Sequence, residues 1–175
     1  MEHFYEDVVG WFDFADIYTH RVERARDGDV FIEIGTANGK SAAFMCVEIA
    51  NSGKKIEFVT VDIFPPENEI FHQEENVRKL LEQFEFCTVI KSDSVEFLKT
   101  MPEDSIDFIF IDGKHEIDPL IFELMVAHEK VKVGGHVGGH DYWESYPDVK
   151  KTVDAFCDFI YKDKEIFNKS FIFRV

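Results

Sequence analysis

Along the chain, short apolar runs that end in glycine or a polar residue alternate with longer stretches whose apolar residues recur at helical spacing. Val30-Phe-Ile-Glu-Ile34 reads as a strand, and the two glycines that follow, Gly35 and Gly39, read as a tight turn into a helix. From Ser41 to Asn51 the apolar residues Ala42, Phe44, Met45, Val47, Ile49 and Ala50 are dense enough for a buried helix, which Asn51-Ser-Gly53 stops. Ile56 to Val61 is a second strand, and Pro65-Pro66, just past Asp62, can continue neither a strand nor a helix. Glu74 to Phe84 carries Val77, Leu80, Leu81 and Phe84 on one helical side. Cys87-Thr-Val-Ile90 is a third strand, and Asp93 or Ser94 caps a short helix from Val95 to Lys99. Ile106-Asp-Phe-Ile-Phe-Ile111 is the fourth strand, followed by a helix from about Asp118 to Val131. Lys132-Val-Gly-Gly135 reads as a turn feeding a fifth strand, His136 to His140. A last helix, about Asp148 to Tyr161, and a hairpin, Ile166 to Val175 around Asn168-Lys169, complete the pattern.

Strands separated by helical patterns of about 10 to 15 residues imply βαβ units. The expectation is an α/β fold: a Rossmann-like doubly wound sheet, mostly parallel, with a C-terminal antiparallel hairpin and helices on both faces. One domain spans residues 1–175, with 1–27 as a helical cover and 28–175 as the core. Within that cover, Trp11, Phe12, Phe14, Ile17 and Tyr18 suit one or two helices that pack on the sheet. The same segment is placed to close over a ligand or to meet a second subunit in a homo-oligomer.

Composition narrows the partners. The chain is 45% hydrophobic and holds 19 Phe, ample for one core. A formal charge of −16 disfavours nucleic acid and anionic membrane surfaces, both of which recruit Lys and Arg. Cys46, Cys87 and Cys157 lie far apart inside apolar runs, as reduced core thiols do. The first residues lack the basic-then-apolar layout of a signal peptide, and no apolar run approaches the ~20 residues that span a bilayer. A soluble, cytoplasmic protein is expected.

The chemistry concentrates after the strands. Glycine lets backbone N–H groups at a helix start approach a ligand, where the helix carries partial positive charge. The spacing Gly35-x-x-x-Gly39 departs from the G-x-G-x-x-G of dinucleotide sites, which argues against a nicotinamide-dependent oxidoreductase. Glu33 would repel a pyrophosphate but can hold an ammonium, so a cofactor with an amino-acid end fits better. Polar residues follow each of five apolar runs: Glu33, Asp62, Ser92-Asp93-Ser94, Asp112 and His140-Asp141. In an open parallel sheet these positions share one edge, where ligands bind. Asp62, about 20 residues past the turn, suits a ribose diol. Asp93 suits an exocyclic amine of adenine, with Ser92 or Ser94 on a ring nitrogen; capping a helix is an equal use of Asp93 or Ser94.

Taken with Ile106-Asp-Phe-Ile-Phe-Ile-Asp-Gly-Lys-His115 and Val133-Gly-Gly-His-Val-Gly-Gly-His-Asp-Tyr142, the first turn resembles the class I S-adenosylmethionine-dependent methyltransferases. The D-G-x-H and G-G-H-D-Y segments resemble a subgroup that includes macrolide-sugar O-methyltransferases, cephalosporin-tailoring proteins and, more distantly, catechol O-methyltransferase. The resemblance covers about Val30 to Phe156. It implies that Glu33, Gly35, Thr36, Gly39 and Ser41 hold the methionine portion of the cofactor. Asp62 with Ile63 would hold the ribose, and Ser92, Asp93 and Ser94 the adenine. Asp112, beside the cofactor, and Asp141 match two metal-ligand positions, and the third falls on His140, where those relatives carry an acid. An imidazole there departs from the oxygen set that Mg²⁺ prefers. His115 matches the catalytic base, with Asp112 beside it. The implied activity is methyl transfer to a hydroxyl of a small molecule or sugar, with S-adenosylhomocysteine as product, and a divalent metal such as Mg²⁺ would assist it. Trp11, Phe64, the loop from Pro65 to Phe71, His115 and Tyr142-Trp143 form the expected rim. A non-catalytic S-adenosylmethionine-binding protein or subunit is the alternative class.

Overall fold

Alternate residues of the central strands separate two kinds of core. In β1 (Val30–Ile34) and β4 (Ile106–Ile111), Phe31, Phe108 and Phe110 join one cluster while Ile32, Ile34, Ile109 and Ile111 join the other. Strand geometry sends successive side chains to opposite faces, so this alternation gives the sheet an aromatic face and an aliphatic face. The computed structural model describes residues 1–65 and 73–175. The remaining strands are β2 (Glu57–Asp62), β3 (Cys87–Lys91), β5 (Val131–Gly139), β6 (Lys164–Phe167) and β7 (Ser170–Arg174). They form one sheet in the order β3-β2-β1-β4-β5-β7-β6. The pairs from β3 to β5 are parallel, whereas β7 pairs antiparallel with both β5 and β6. This is the expected mostly parallel sheet with a terminal hairpin, and Asn168 turns that hairpin at φ 55°.

Helices cover both faces. After a 3-10 turn at Tyr5–Asp7 come α1 (Ala15–Arg24), α2 (Lys40–Ser52) and α3 (Glu74–Leu81), which bury Tyr18, Phe44, Met45 and Val77 against the aromatic face. On the aliphatic face α4 (Ser94–Thr100), α5 (Ile117–Lys130) and α6 (Pro147–Phe159) pack side by side. They bury Leu98, Leu120, Leu124, Val149, Val153 and Phe156, each such burial contributing roughly 1.5–3 kcal/mol. Cys46, Cys87 and Cys157 are free thiols, two of them buried. Among the described residues, no helix is long and apolar enough to cross a membrane.

One element differs from its sequence reading. Lys132 to Gly135 belong to β5 instead of forming a turn before it. The ladder pairs Ile106 with Val131 and then jumps to Phe108 with His136, so the extra residues are accommodated as a bulge. Gly134 supplies a left-handed φ of 88°, and Lys132 reaches across to Asp107 at 2.7 Å.

Register then fixes where the strands stop. Ile34 lies beside Val61 and Ile111, Asp62 beside Lys91, and Ile111 beside Gly139. The polar residues after β1 to β5 therefore emerge along one edge. The strand order reverses between β1 and β4, the point where an open α/β sheet leaves a crevice.

Candidate active site

A cavity of about 740 Å³ opens at that edge. Of the residues expected to meet a cofactor, Gly35, Asp62, Ile63, Ser92, Asp93, Ser94 and Asp112 line it. Glu33, Thr36, Gly39 and Ser41 do not line it, and for Glu33 the reason lies in the alternation of β1. Glu33 falls on the aromatic face, where it is buried. Its Oε2 accepts from the Tyr18 hydroxyl at 2.6 Å and its Oε1 from the Thr60 hydroxyl at 2.7 Å. Thr60 Oγ1 lies 2.6 Å from Thr36 Oγ1, so with the Thr60 proton spent on Glu33, Thr36 must donate to Thr60. Burial raises the Glu33 carboxyl to about 7, against the lowering effect of hydrogen bonds from Tyr18, Thr60 and Ser41. Glu33, Thr36 and Ser41 thus form a hydrogen-bonded group with Tyr18 and Thr60 beneath the glycine turn.

Gly35 is positioned by a neighbouring strand. It sits at φ 97°, and a Cβ there would fall 2.0 Å from the carbonyl oxygen of Asp112. Only glycine lets the ends of β1 and β4 close to this separation. At the end of β2, Asp62 accepts backbone N–H groups from Ala37 and Phe64, each at 2.8 Å, which ties the glycine turn to the loop after β2. After β3, Asp93 Oδ1 caps α4 by accepting from Val95 and Glu96 at 3.0 and 3.1 Å.

Asp112 also belongs to a second group. Ligand-type atoms of Asp112, His115 and Asp141 lie within 4.8 Å of one another. His115 Nε2 is 2.5 Å from Asp141 Oδ2, and its ring lies 4.6 Å from that of Tyr146. The hydrogen bond to Asp141 holds the His115 imidazole above the ordinary histidine range, outweighing partial burial. Asp141 itself is held well below the usual carboxylate range: burial raises it, but the hydrogen bonds and charges of His115 and His140 outweigh that.

His140, the expected third metal position, is buried and turned elsewhere. Its Nε2 meets Asp13 at 2.7 Å, while Nδ1 lies 3.3 Å from Asp141 and 3.7 Å from Asp112. Burial lowers its pKa, but the nearby carboxylates of Asp112 and Asp141 raise it to about 10. It therefore stands as an imidazolium among three carboxylates. The trio of Asp112, His115 and Asp141 offers two carboxylates and one imidazole, a donor set that suits a divalent cation.

Asp13 was missed by the sequence reading because it sits in an N-terminal stretch with no motif; an acid among aromatics was its only signal. It also meets Lys169 at 3.0 Å, and Lys169 lies over the rings of both Trp11 and Trp143. Of the expected rim, Trp11, Trp143 and His115 are exposed and Tyr142 is half-buried, and none of the four lines the cavity. Phe64 is no part of that rim: it is 2% exposed and packs into the aromatic core. The rest of the expected rim loop, 66–71, lies outside the described residues.

The chain belongs to the methyltransferase-domain family, which matches residues 32–142, and its fold is that of the solved methyltransferases below. An uncharacterized protein of Acanthamoeba polyphaga mimivirus is 31% identical over 127 residues, covering 67% of this chain and 53% of that protein. The chain thus spans about half the length of that curated relative. Among solved structures, the O-methyltransferase NovP aligns with a TM-score of 0.72 at 19% identity, over 91% of this chain and 78% of its own. A precorrin-6y C5,15-methyltransferase from Geobacter metallireducens aligns with a TM-score of 0.67 at 16% identity, over 93% and 80%. A SAM dependent methyltransferase from Aquifex aeolicus aligns at 0.62 and 14% identity, over 92% of each chain.

Proposed function

We propose that this protein transfers the methyl group of S-adenosylmethionine to a hydroxyl oxygen of a small molecule or sugar. The observation that carries the reading is the double membership of Asp112, which lines the cavity and belongs to the cluster with His115 and Asp141. A cofactor held in the cavity would present its reactive end to that cluster. The aligned structures include an O-methyltransferase and a methyltransferase acting at C5 and C15, so the fold alone does not choose the acceptor atom. The cluster favours oxygen, because a neutral hydroxyl attacks poorly until its proton is withdrawn.

The residues divide the work accordingly. Asp62 accepts from a ribose diol, and Gly35 lets the ends of β1 and β4 close together at the cavity wall. His115 takes the proton of the acceptor hydroxyl, and Asp141 orients the imidazole and stabilises the imidazolium that forms. Holding the hydroxyl in line with the methyl group is the larger contribution, since well-oriented reactants gain an effective concentration. With a divalent cation in the cluster, Asp112, His115 and Asp141 would hold it instead, His115 then acting as a ligand and not as the base, and the cation would lower the pKa of a bound hydroxyl. Aromatic rings at Trp11, Trp143 and Tyr146 suit a sugar or small phenol. The charge of −16 disfavours nucleic acid as substrate. A cytoplasmic location and a homo-oligomer built through the N-terminal cover accompany this reading.

The test pairs binding with turnover. S-adenosylhomocysteine should bind the wild type saturably by calorimetry, and Asp62→Ala should weaken it by roughly tenfold or more, the effect of a lost charged hydrogen bond. With sugar and phenol panels as acceptors, His115→Ala should lower kcat by about 10²–10⁴-fold with little change in cofactor affinity. Treatment with a chelator followed by Mg²⁺, Mn²⁺ or Zn²⁺ reports on the cation. Absence of S-adenosylhomocysteine binding would sink the reading. Tight binding without turnover on any acceptor would favour a non-catalytic subunit.

A further inference from the structure

Glu123 is a carboxylate in the cavity wall to which the reading above gives no task. It lies on α5 within the stripe Leu120, Glu123, Leu124 and Ala127, all buried, and is itself 2% exposed. Its Oε1 accepts from the Ser94 hydroxyl at 2.5 Å, whereas Oε2 is buried with no hydrogen-bond partner among the described residues. A Cβ on Gly113 would lie 3.4 Å from Oε1 and 3.9 Å from Oε2, which puts the carboxylate between the ends of β3 and β4. Burial raises its pKa to about 7, against the hydrogen bond from Ser94, so an ionised fraction persists at neutral pH. A buried acceptor without a donor is costly, and more so when charged. The residue faces a cavity, and a donor from a ligand would remove that cost.

The neighbouring polar groups each have a partner, and among those of the described residues that line this wall Glu123 Oε2 is the carboxylate oxygen that is buried without a donor. Asp93 Oδ1 serves the N-terminus of α4, the Ser94 proton serves Glu123, and the Ser92 hydroxyl donates to the Asp93 carbonyl. Resting on the S-adenosylmethionine reading, we propose that Glu123 Oε2 accepts a hydrogen bond from the exocyclic amine of the adenine, making the cavity selective for a 6-amino over a 6-oxo purine. This moves the amine from Asp93, where the sequence alone suggested it, to a residue of the following helix. A 6-oxo purine in the same register would set a carbonyl oxygen against the carboxylate.

Calorimetric titration of S-adenosylhomocysteine and S-inosylhomocysteine into wild type, Glu123→Gln and Glu123→Asp tests it. The wild type should prefer the adenosyl ligand by about tenfold or more, and Glu123→Gln, whose amide can donate to a 6-oxo group, should narrow the ratio to within about threefold. Glu123→Asp keeps the charge on a shorter arm and serves if the glutamine variant does not fold; its ratio should narrow as well. A wild-type ratio near one, or a ratio that persists in the folded variants, overturns the proposal while leaving the cofactor assignment intact. Failure of both ligands to bind the wild type overturns the cofactor assignment and this proposal together.

Discussion

Gly35 and Gly39 look equivalent in the sequence, yet the structure gives them different burdens. A Cβ on Gly35 would meet backbone, the Asp112 carbonyl at 2.0 Å, which can retreat only if two paired strands separate. A Cβ on Gly39 would meet the side-chain ends of Leu80 and Val77 at 3.2 and 3.3 Å, which can rotate away. Both sit at positive φ, so both alanines carry the left-handed cost of roughly 1–2 kcal/mol. Gly35→Ala should therefore destabilise by clearly more, about 3 kcal/mol or above, and should weaken S-adenosylhomocysteine binding, while Gly39→Ala stays near the conformational cost alone. Urea titrations of the two variants decide this, and equal midpoints would refute it. The spacing of the glycines was legible in the sequence because turns have a residue signature. The obstacle behind Gly35 was not, since it comes from a strand more than 70 residues later.

At the scale of elements, types and order were legible because period two and period 3.6 are written locally, while side-chain partners were not. Glu123 shows the limit: a lone acid in the apolar stripe of α5 was visible as a pattern fault, but its pairing with Ser94 depends on how α4 meets α5. Asp154 shows the same for the C-terminal hairpin. From α6 it accepts from Tyr142 at 2.6 Å, and pairs with Lys164 of β6 at 2.8 Å and Lys150 at 3.0 Å. Burial raises its carboxyl, but the hydrogen bonds of Lys164, Tyr142 and Lys150 prevail and hold it at about 2. Its folded pKa lies below the unfolded value near 3.9. The stability it contributes is thus fully present above pH ~4 and is lost as pH falls through about 2. The denaturation midpoint of the wild type should drop over this window, and its advantage over Asp154→Asn should shrink with it. An advantage that is constant from pH 5 to pH 2 would show that the charge of Asp154 does not hold the hairpin.

For the whole molecule, the sheet order decides what the site can be. Only because β4 lies beside β1 does Asp112 face both the cavity and the cluster with His115 and Asp141, and no local pattern encodes that adjacency. The sequence did announce which residues would reach the edge, since each follows an apolar run of similar length. It also announced an excess of acid, 35 Asp and Glu against 19 Lys and Arg. Several of these acids are matched locally: Asp13, Asp112 and Asp141 surround His140, and Asp154 meets two lysines. The acids in excess of such pairs repel one another across the surface, and that repulsion is relieved on unfolding as the chain expands. Surface charges beyond a Debye length, about 10 Å at 0.1 M salt, are screened, whereas partly buried pairs such as His140 with Asp13 are screened much less. Salt should therefore weaken the net repulsion more than the specific attractions. Raising sodium chloride from about 0.02 to 0.3 M at neutral pH should lift Tm by several degrees, with most of the gain below about 0.15 M, where the Debye length has shortened to about 8 Å. A Tm that falls with salt in differential scanning calorimetry would mean that the paired charges, not the unpaired acidic surface, dominate the electrostatic balance of this fold.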